Sequence, residues 1–269
     1  MLAIFISLGI GGFLGIMMFY FNFDISWCMT VGFLGFIATQ ILTGLLIRKL
    51  VKKLTDNIQN IIAGGQQKLN KKIQFFQTRP QGGVKTMQKL LEKDQHVFIR
   101  QAIEATRAFE KLYSWNLLLK KQVNTMRMQF YYQLREFEKV DALIPKAMYV
   151  DHMSVAMKMA RLYKNEDESY KKLFYKKIKK IKNEDAVILY ALYSWILVKK
   201  EKIEEAIKVL QQGKEKTKNE VLEKNWESLV NSKDKKFSNA DLGDMWYALY
   251  LEEVKVPKPK QQLMRGPYR

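Results

Sequence analysis

The sequence predicts an all-α protein: an N-terminal transmembrane helical hairpin followed by a helical-repeat domain. Three observations predict it. Residues 1–47 are apolar, and Asp24 is their single charged side chain. The rest of the chain spaces apolar residues three and four apart, without the period-two runs that mark strands. Proline occurs five times in 269 residues and mostly near the end, so little interrupts a helix.

The charge is unevenly placed. The chain has 46 Lys+Arg against 27 Asp+Glu and a net charge of +19. Because the apolar segment contributes only Asp24, residues 48–269 carry +20. Such a field favours acidic partners: anionic lipid heads, acidic proteins or nucleic acid. The one cysteine, Cys28, lies in the apolar segment, which excludes a disulfide framework and a cysteine zinc site.

Residues 1–47 form the hairpin. The stretches 1–23 and 25–47 carry no charge, and each exceeds the roughly 20 apolar residues needed to cross a hydrocarbon core. A cleaved signal peptide is the competing reading of the first. It would begin with a basic region and end in small residues, but Phe19, Tyr20, Phe21 and Phe23 stand there. The turn, around Asn22–Ser26, holds no Lys or Arg, whereas Arg48, Lys49, Lys52 and Lys53 follow the second span. Positive charge stays on the cytoplasmic side, so both termini are expected there. Ser7, Gly11 and Gly15, then Gly35, Thr39 and Thr43, form stripes of small residues. These are expected to be the seam of the hairpin, a homo-oligomer contact being the alternative. Gln40 alone is strongly polar deep in the second span, too little for a channel or transporter.

Residues 48–85 read as a basic amphipathic juxtamembrane linker. Leu50, Leu54, Ile58, Ile61 and Ile62 continue the helical spacing until Gly64-Gly65, which is expected to break it. A second short piece carries Leu69, Ile73 and Phe76, and the stretch Arg79–Gly83 ends it. From Arg48 to Lys89 there are ten basic residues and one acid, Asp56. Arg48, Lys49, Lys52, Lys53, Lys68, Lys71 and Lys72 are the candidates for contact with an anionic membrane surface. A solvated linker whose charge only enforces topology is the alternative.

Residues 86–253 alternate helical patterns with short polar breaks. One or two helices over 87–119 open the domain, and Leu112-Tyr113-Ser114-Trp115 recurs as Leu192-Tyr193-Ser194-Trp195. The best-defined unit starts at Asp185, with Asn183-Glu184-Asp185 as its expected cap. Its second helix carries the apolar stripe Ile203, Ala206, Ile207 and Leu210, with Glu204 and Glu205 early and Lys214 and Lys216 late, as the helix dipole favours. Lys171 to Lys182 holds seven lysines and no acid, with Leu173, Phe174, Ile178 and Ile181 on the other face. This is a solvated face or a site for an acidic partner. Residues 254–269, with five basic residues and three prolines, read as a basic disordered tail.

Ala206, Leu210 and Gly213, with Ser194 in the helix before them, resemble the tetratricopeptide repeat, which pairs two helices in about 34 residues. Thirty-four residues beyond Ala206 stands Ala240, and nearly two repeats before it stands Val140, followed by Ile144 and Ala147. Tyr170 and Phe174 mark a shorter unit over 152–182. The tryptophan–leucine–glycine–tyrosine pattern of the first helix is poor throughout, Asp244 falls where an apolar residue is usual, and Pro145 sits inside a second helix. The resemblance covers roughly residues 120–253 and implies a TPR-like α-solenoid. Such a stack offers a concave surface to a peptide or helix. In that register Gln129, Tyr132, Trp195 and Lys199 would line it as partner-binding residues. The overall layout is similar to that of the HemY-type bacterial membrane proteins, which implies a bacterial inner membrane and places no haem chemistry here.

Nothing in the sequence assembles a catalytic set. His96 and His152 stand apart, there is no Gly-x-Ser-x-Gly elbow, and the carboxylates are interleaved with lysines as on a solvated helix face. The expectation is therefore a scaffold, not an enzyme, with no catalytic, metal or cofactor site, binding a protein partner that is acidic or peptide-like. The alternative is a basic tether for anionic lipid or nucleic acid. Nucleic acid is the less favoured partner, since no recognised nucleic-acid motif is present.

Overall fold

The structure, a computed structural model, describes residues 2–78 and 83–253, with backbone alone at Val84 and Lys85. Most of the expected Arg79–Gly83 break and all of the expected tail lie outside the described residues. Among the described residues every regular element is a helix, and two apolar helices lead the chain. The chain forms two compact units, Met1–Met148 and Tyr149–Arg269.

In the first unit α1 (Leu2–Tyr20) and α2 (Ile25–Thr78) make the hairpin. Asn22, with φ of 59°, turns the chain between them. The small residues meet there: a Cβ on Gly11 would lie 2.6 Å from the Gly32 carbonyl oxygen, and one on Gly15 would lie 3.2 Å from that of Cys28. The hydroxyls of Ser7, Thr39 and Thr43 donate to carbonyls one turn back, at 2.7, 2.8 and 2.7 Å. They are thus satisfied within their own helices, as a bilayer-spanning segment would require. Phe5, Phe13, Ile16, Met29 and Phe33 point outward and are exposed.

The expected break at Gly64-Gly65 does not occur. α2 runs 54 residues, about 80 Å at 1.5 Å per residue, and the second amphipathic piece is roughly its last quarter. The cause is tertiary. Gly65 lies under the ring of Phe98 on α3 (Val84–Ala105), where a Cβ would stand 2.3 Å from the ring carbons. Glycine costs a helix interior about 1 kcal/mol. Here it permits burial of Ile58, Leu69, Phe98, Ile99 and Ala102 in one core, which outweighs that cost.

A 3-10 segment, Thr106–Leu112, adds Phe109 to this core, and α4 (Leu119–Gln133) adds Leu119, Val123 and Phe130. Arg127 ties α4 to that segment, donating to Thr106 Oγ1 at 2.6 Å and to Glu110 at 2.8 Å. α5 (Phe137–Leu143) stops two residues before Pro145, which lies in a 3-10 turn, Ile144–Lys146. The expected helix through Pro145 is thus corrected. Proline lacks the N–H that would continue the helix, and its ring crowds the carbonyl one turn back.

The second unit contains α6 (His152–Lys164), α7 (Ser169–Ile178), α8 (Val187–Lys199), α9 (Ile203–Thr217), α10 (Glu220–Val230) and α11 (Asp244–Tyr247). α8 is its centre: every residue from Val187 to Leu197 is buried. A helix apolar all round has to be enclosed. Ala206 and Leu210 of α9 are fully buried, and a Cβ on Gly213 would come within 2.9 Å of Tyr190. These small residues let α9 lie close on α8. Phe174 of α7 stacks on Tyr193 at 4.3 Å between ring centres.

Asp151 caps α6 by accepting from the Ser154 N–H at 2.8 Å, and Asn219 caps α10 through the N–H groups of Val221 and Leu222. The expected cap at Asn183–Asp185 is instead the entry to a 3-10 turn, Glu184–Ala186, and Asp185 pairs with His152 Nδ1 at 3.2 Å. Ala240, thirty-four residues beyond Ala206, lies in a short 3-10 turn, Ala240–Leu242, and α11 follows it. Gly243, with φ of 58°, divides them.

Candidate functional site

Three surfaces built by these helices have chemistry to offer. The first is α2 beyond its apolar run. Arg48, Lys49, Lys52 and Lys53 are exposed within two turns of Ile47. Lys68, Lys71 and Lys72 sit on the same unbroken helix, roughly 30–40 Å further along its axis. The seven basic residues therefore fall into two groups. Only the first lies within about 8 Å, one Debye length, of the end of the apolar run. Lys68 and Lys72 of the second group border an open groove of about 560 Å³ between α2 and α3, with Asn60, Gly64, Phe98 and Gln101 on its walls. There Lys72 pairs with Asp94 at 2.5 Å.

The second surface is the exposed side of α7. Phe174 and Ile178 face the core, which leaves Lys172, Tyr175, Lys176, Lys179 and Lys180 exposed. Lys177 is turned inward, donating to the Tyr149 carbonyl, and burial pushes its pKa down, helped by the charges of Lys176 and Lys180. Lys158 is lowered in the same way, by burial first and then by Lys177. Lys158 and Lys177 thus each stand part-buried beside further positive charge. At one end Lys216 of α9 donates to the carbonyls of Ile178 and Ile181, at 2.6 and 3.1 Å. At the other, Glu168 accepts from both Lys171 and Lys200, which together hold its carboxyl down to about 2.

The third surface is the turn between the Thr106–Leu112 segment and α4. Its Leu117 and Leu118 are 62% and 53% exposed, although both are large and apolar.

The four expected partner-contacting residues are divided between the two units. Gln129 and Tyr132 belong to the first unit, Trp195 and Lys199 to the second. Tyr132 and Trp195 are 1% and 5% exposed and form parts of cores. The Trp195 indole N–H donates to Glu252 at 2.8 Å, and the same carboxylate accepts from Trp246 at 2.9 Å. Of the four, Lys199 is exposed, its ammonium 5.3 Å from the centre of the Trp195 ring, and Gln129 is half-buried. The α7 strip was legible as an amphipathic basic pattern. The Leu117–Leu118 turn had no sequence signal, since two leucines beside a helix start read as ordinary core.

Comparison with protein-family models, with curated proteins and with solved structures finds no match to this chain.

Proposed function

We propose that this protein is a membrane-anchored helical scaffold that binds an acidic protein partner at the cytoplasmic face of the membrane. The observation that carries the reading is the single helix α2. Its first half is apolar enough to span a bilayer and pairs with α1, and its second half is the wall on which α3 and α4 build a helical body. A rigid link of that kind holds a body at a fixed distance from the membrane. The topology follows from the basic residues just after Ile47. The partner's acidity is inferred from the lysines of α7, with exposed Tyr175 as an apolar anchor among them. The paired α8 and α9, with Ala206, Leu210 and Gly213 at the contact, support a tetratricopeptide-like arrangement for the second unit.

The test uses the full chain in a mild detergent, with bound protein, lipid and nucleic acid quantified across a salt series. The reading expects a stoichiometric protein partner that survives moderate salt and is lost in the Lys172→Glu/Lys176→Glu/Lys179→Glu variant. Recovery of nucleic acid or lipid alone, falling steeply with salt, would replace the scaffold with a basic tether.

A further inference from the structure

We propose that the turn Tyr113–Leu118 is a second membrane contact, seated in the interface of the bilayer that the hairpin crosses and ringed by lysines for anionic headgroups. The proposal rests on the hairpin spanning that bilayer.

Depth is the first argument. The Thr106–Leu112 segment packs on α2 beside Val51, Leu54 and Ile58, with Phe109 1% exposed. At its end the Leu2 N–H of α1 donates to the Ser114 carbonyl at 3.1 Å. Within the hairpin Gly11 faces Gly32 and Phe36, and Gly15 faces Cys28 and Gly32. Continued antiparallel at equal rise per residue, this register sets Leu2 level with about residue 43 of α2, roughly one turn before Ile47. The apolar run of α2 ends only at Ile47. Ser114 is therefore fixed level with the last turn of that run, where the hydrocarbon gives way to headgroups. The bond also satisfies an N–H at the start of α1, which water serves poorly at that depth.

Chemistry is the second. Leu117 and Leu118 are more than half exposed and Trp115 is partly so. They do not hang loose: Asn116 accepts from the Leu118 N–H through Oδ1 at 3.0 Å and from the Leu119 N–H through its carbonyl at 3.2 Å, and Leu119 is buried. A tryptophan beside outward leucines is the composition of a bilayer interface. Lys111, Lys120 and Lys121 flank the turn, all exposed, and no acid lies between Lys111 and Lys121. Arg48 and Lys49, just past the apolar run of α2, add to the same sign of charge. The occupant that accounts for both the apolar tip and the basic ring is a surface with a greasy interior and anionic heads. The hairpin already brings that surface to this depth.

The experiment places a single cysteine, in a Cys28→Ser background, at each of three positions of the full chain in phosphatidylcholine–phosphatidylserine bilayers. Each carries an environment-sensitive label, read with shallow and deep lipid-borne quenchers and with a water-borne one. Leu34→Cys, on the outward face of α2, should answer to the deep quencher. Gln66→Cys, about 28 Å beyond Ile47, should answer only to the water-borne one. Leu118→Cys should answer to the shallow quencher, and Lys120→Glu/Lys121→Glu should move it toward water. If Leu34→Cys is deep while Leu118→Cys behaves like Gln66→Cys, the turn is an ordinary solvated loop and the proposal falls with the span intact. Protection of Leu118→Cys from all three quenchers overturns it in favour of a protein cover. Leu34→Cys in water would refute the spanning reading and this proposal together.

Discussion

The neighbouring glycines of α2 should respond to alanine in opposite directions. Each substitution gains about 0.5–1 kcal/mol of helix propensity, since glycine is the costlier residue in a helix interior. At Gly64 nothing lies within 4 Å of the new Cβ, so that gain should appear undiminished. At Gly65 the Cβ would stand 2.3 Å from two carbons of the Phe98 ring and 2.8 Å from a third. Ordinary contact begins near 3.4 Å, so α2 and α3 must part by roughly 1 Å or the ring must turn. The ring has little freedom, because Ile99 and Ala102 beside it are fully buried. Overpacking of this kind costs about 1–3 kcal/mol. Because both variants share the propensity gain, their difference isolates the clash and should be about that size. At roughly 2–4 °C per kcal/mol, thermal unfolding of the full chain in detergent, followed by circular dichroism, resolves it. A Phe98→Ala background should remove the difference and leave both alanines favourable. If Gly64→Ala and Gly65→Ala stabilise equally with Phe98 intact, α3 does not pack on α2 at this point, and the case for one unbroken stalk is lost.

Three further outcomes are expected. Gly11→Ala should loosen the hairpin by about 1–3 kcal/mol, because the obstacle is the Gly32 carbonyl oxygen at 2.6 Å, while Gly9→Ala and Gly12→Ala, with open space, should not; detergent melts compare them directly. Asn239→Ala should destabilise the second unit by about 1–3 kcal/mol, since it strips a partner from Asn225 at 2.9 Å and from the Ala191 carbonyl at 3.1 Å; loss of near-ultraviolet dichroism on heating would report it, and an unchanged midpoint would remove the network from the account. Glu168 is held down to about 2, from 4.5, by hydrogen bonds from Lys171 and Lys200. A depressed folded pKa gives stability that is present above 4.5 and lost as pH falls toward 2, so Glu168→Gln should flatten the acid limb of stability in that window; a carboxyl titrating near 4.5 by NMR would contradict the pairing.

The hairpin was legible because its two signals, charge-free length and small residues four apart, act locally and need no partner elsewhere. The continuity of α2 was not. Gly64-Gly65 reads as a break by propensity, and what overrides it is Phe98, a contact the sequence gives no means of locating. The register that put Trp195 on a binding surface took its direction from family position. The stretch from Val187 to Val198 held the better signal, for it carries no charge on any side, and a helix of that kind has no face to give to solvent. Tyr132 had no such signal, being one of two adjacent tyrosines on a mixed helix of which only a neighbour's packing decides the inner one. The lysines of α7 came through in part: Phe174 and Ile178 fix which side is buried and leave Lys172 and Lys176 outside, but Lys177 turns inward to the Tyr149 carbonyl and the helix ends at Ile178, short of Lys182. The role proposed for the Tyr113–Leu118 turn rests on its backbone hydrogen bond to α1, which no pattern of residue types records.

The same bond bears on why the anchor is a hairpin. A lone span would hold the helical body at a height but leave it free to swing about the helix axis. Here α1 is locked to α2 through the Gly11–Gly32 approach, where backbone meets backbone and nothing can slide without a clash. The far end of α1 is then tied to Ser114, which follows the segment that Phe109 and Leu112 pin against α2. The loop of contacts closes: α2 to α1, α1 to Ser114, and the Ser114 segment back to α2. Each link is of a different kind, a backbone approach, a hydrogen bond and an apolar core, so no single change in salt or pH releases all three. With the hairpin spanning a bilayer as proposed, a body tied in this way would keep one face toward the membrane, which is what the proposed contact at Leu117 and Leu118 requires.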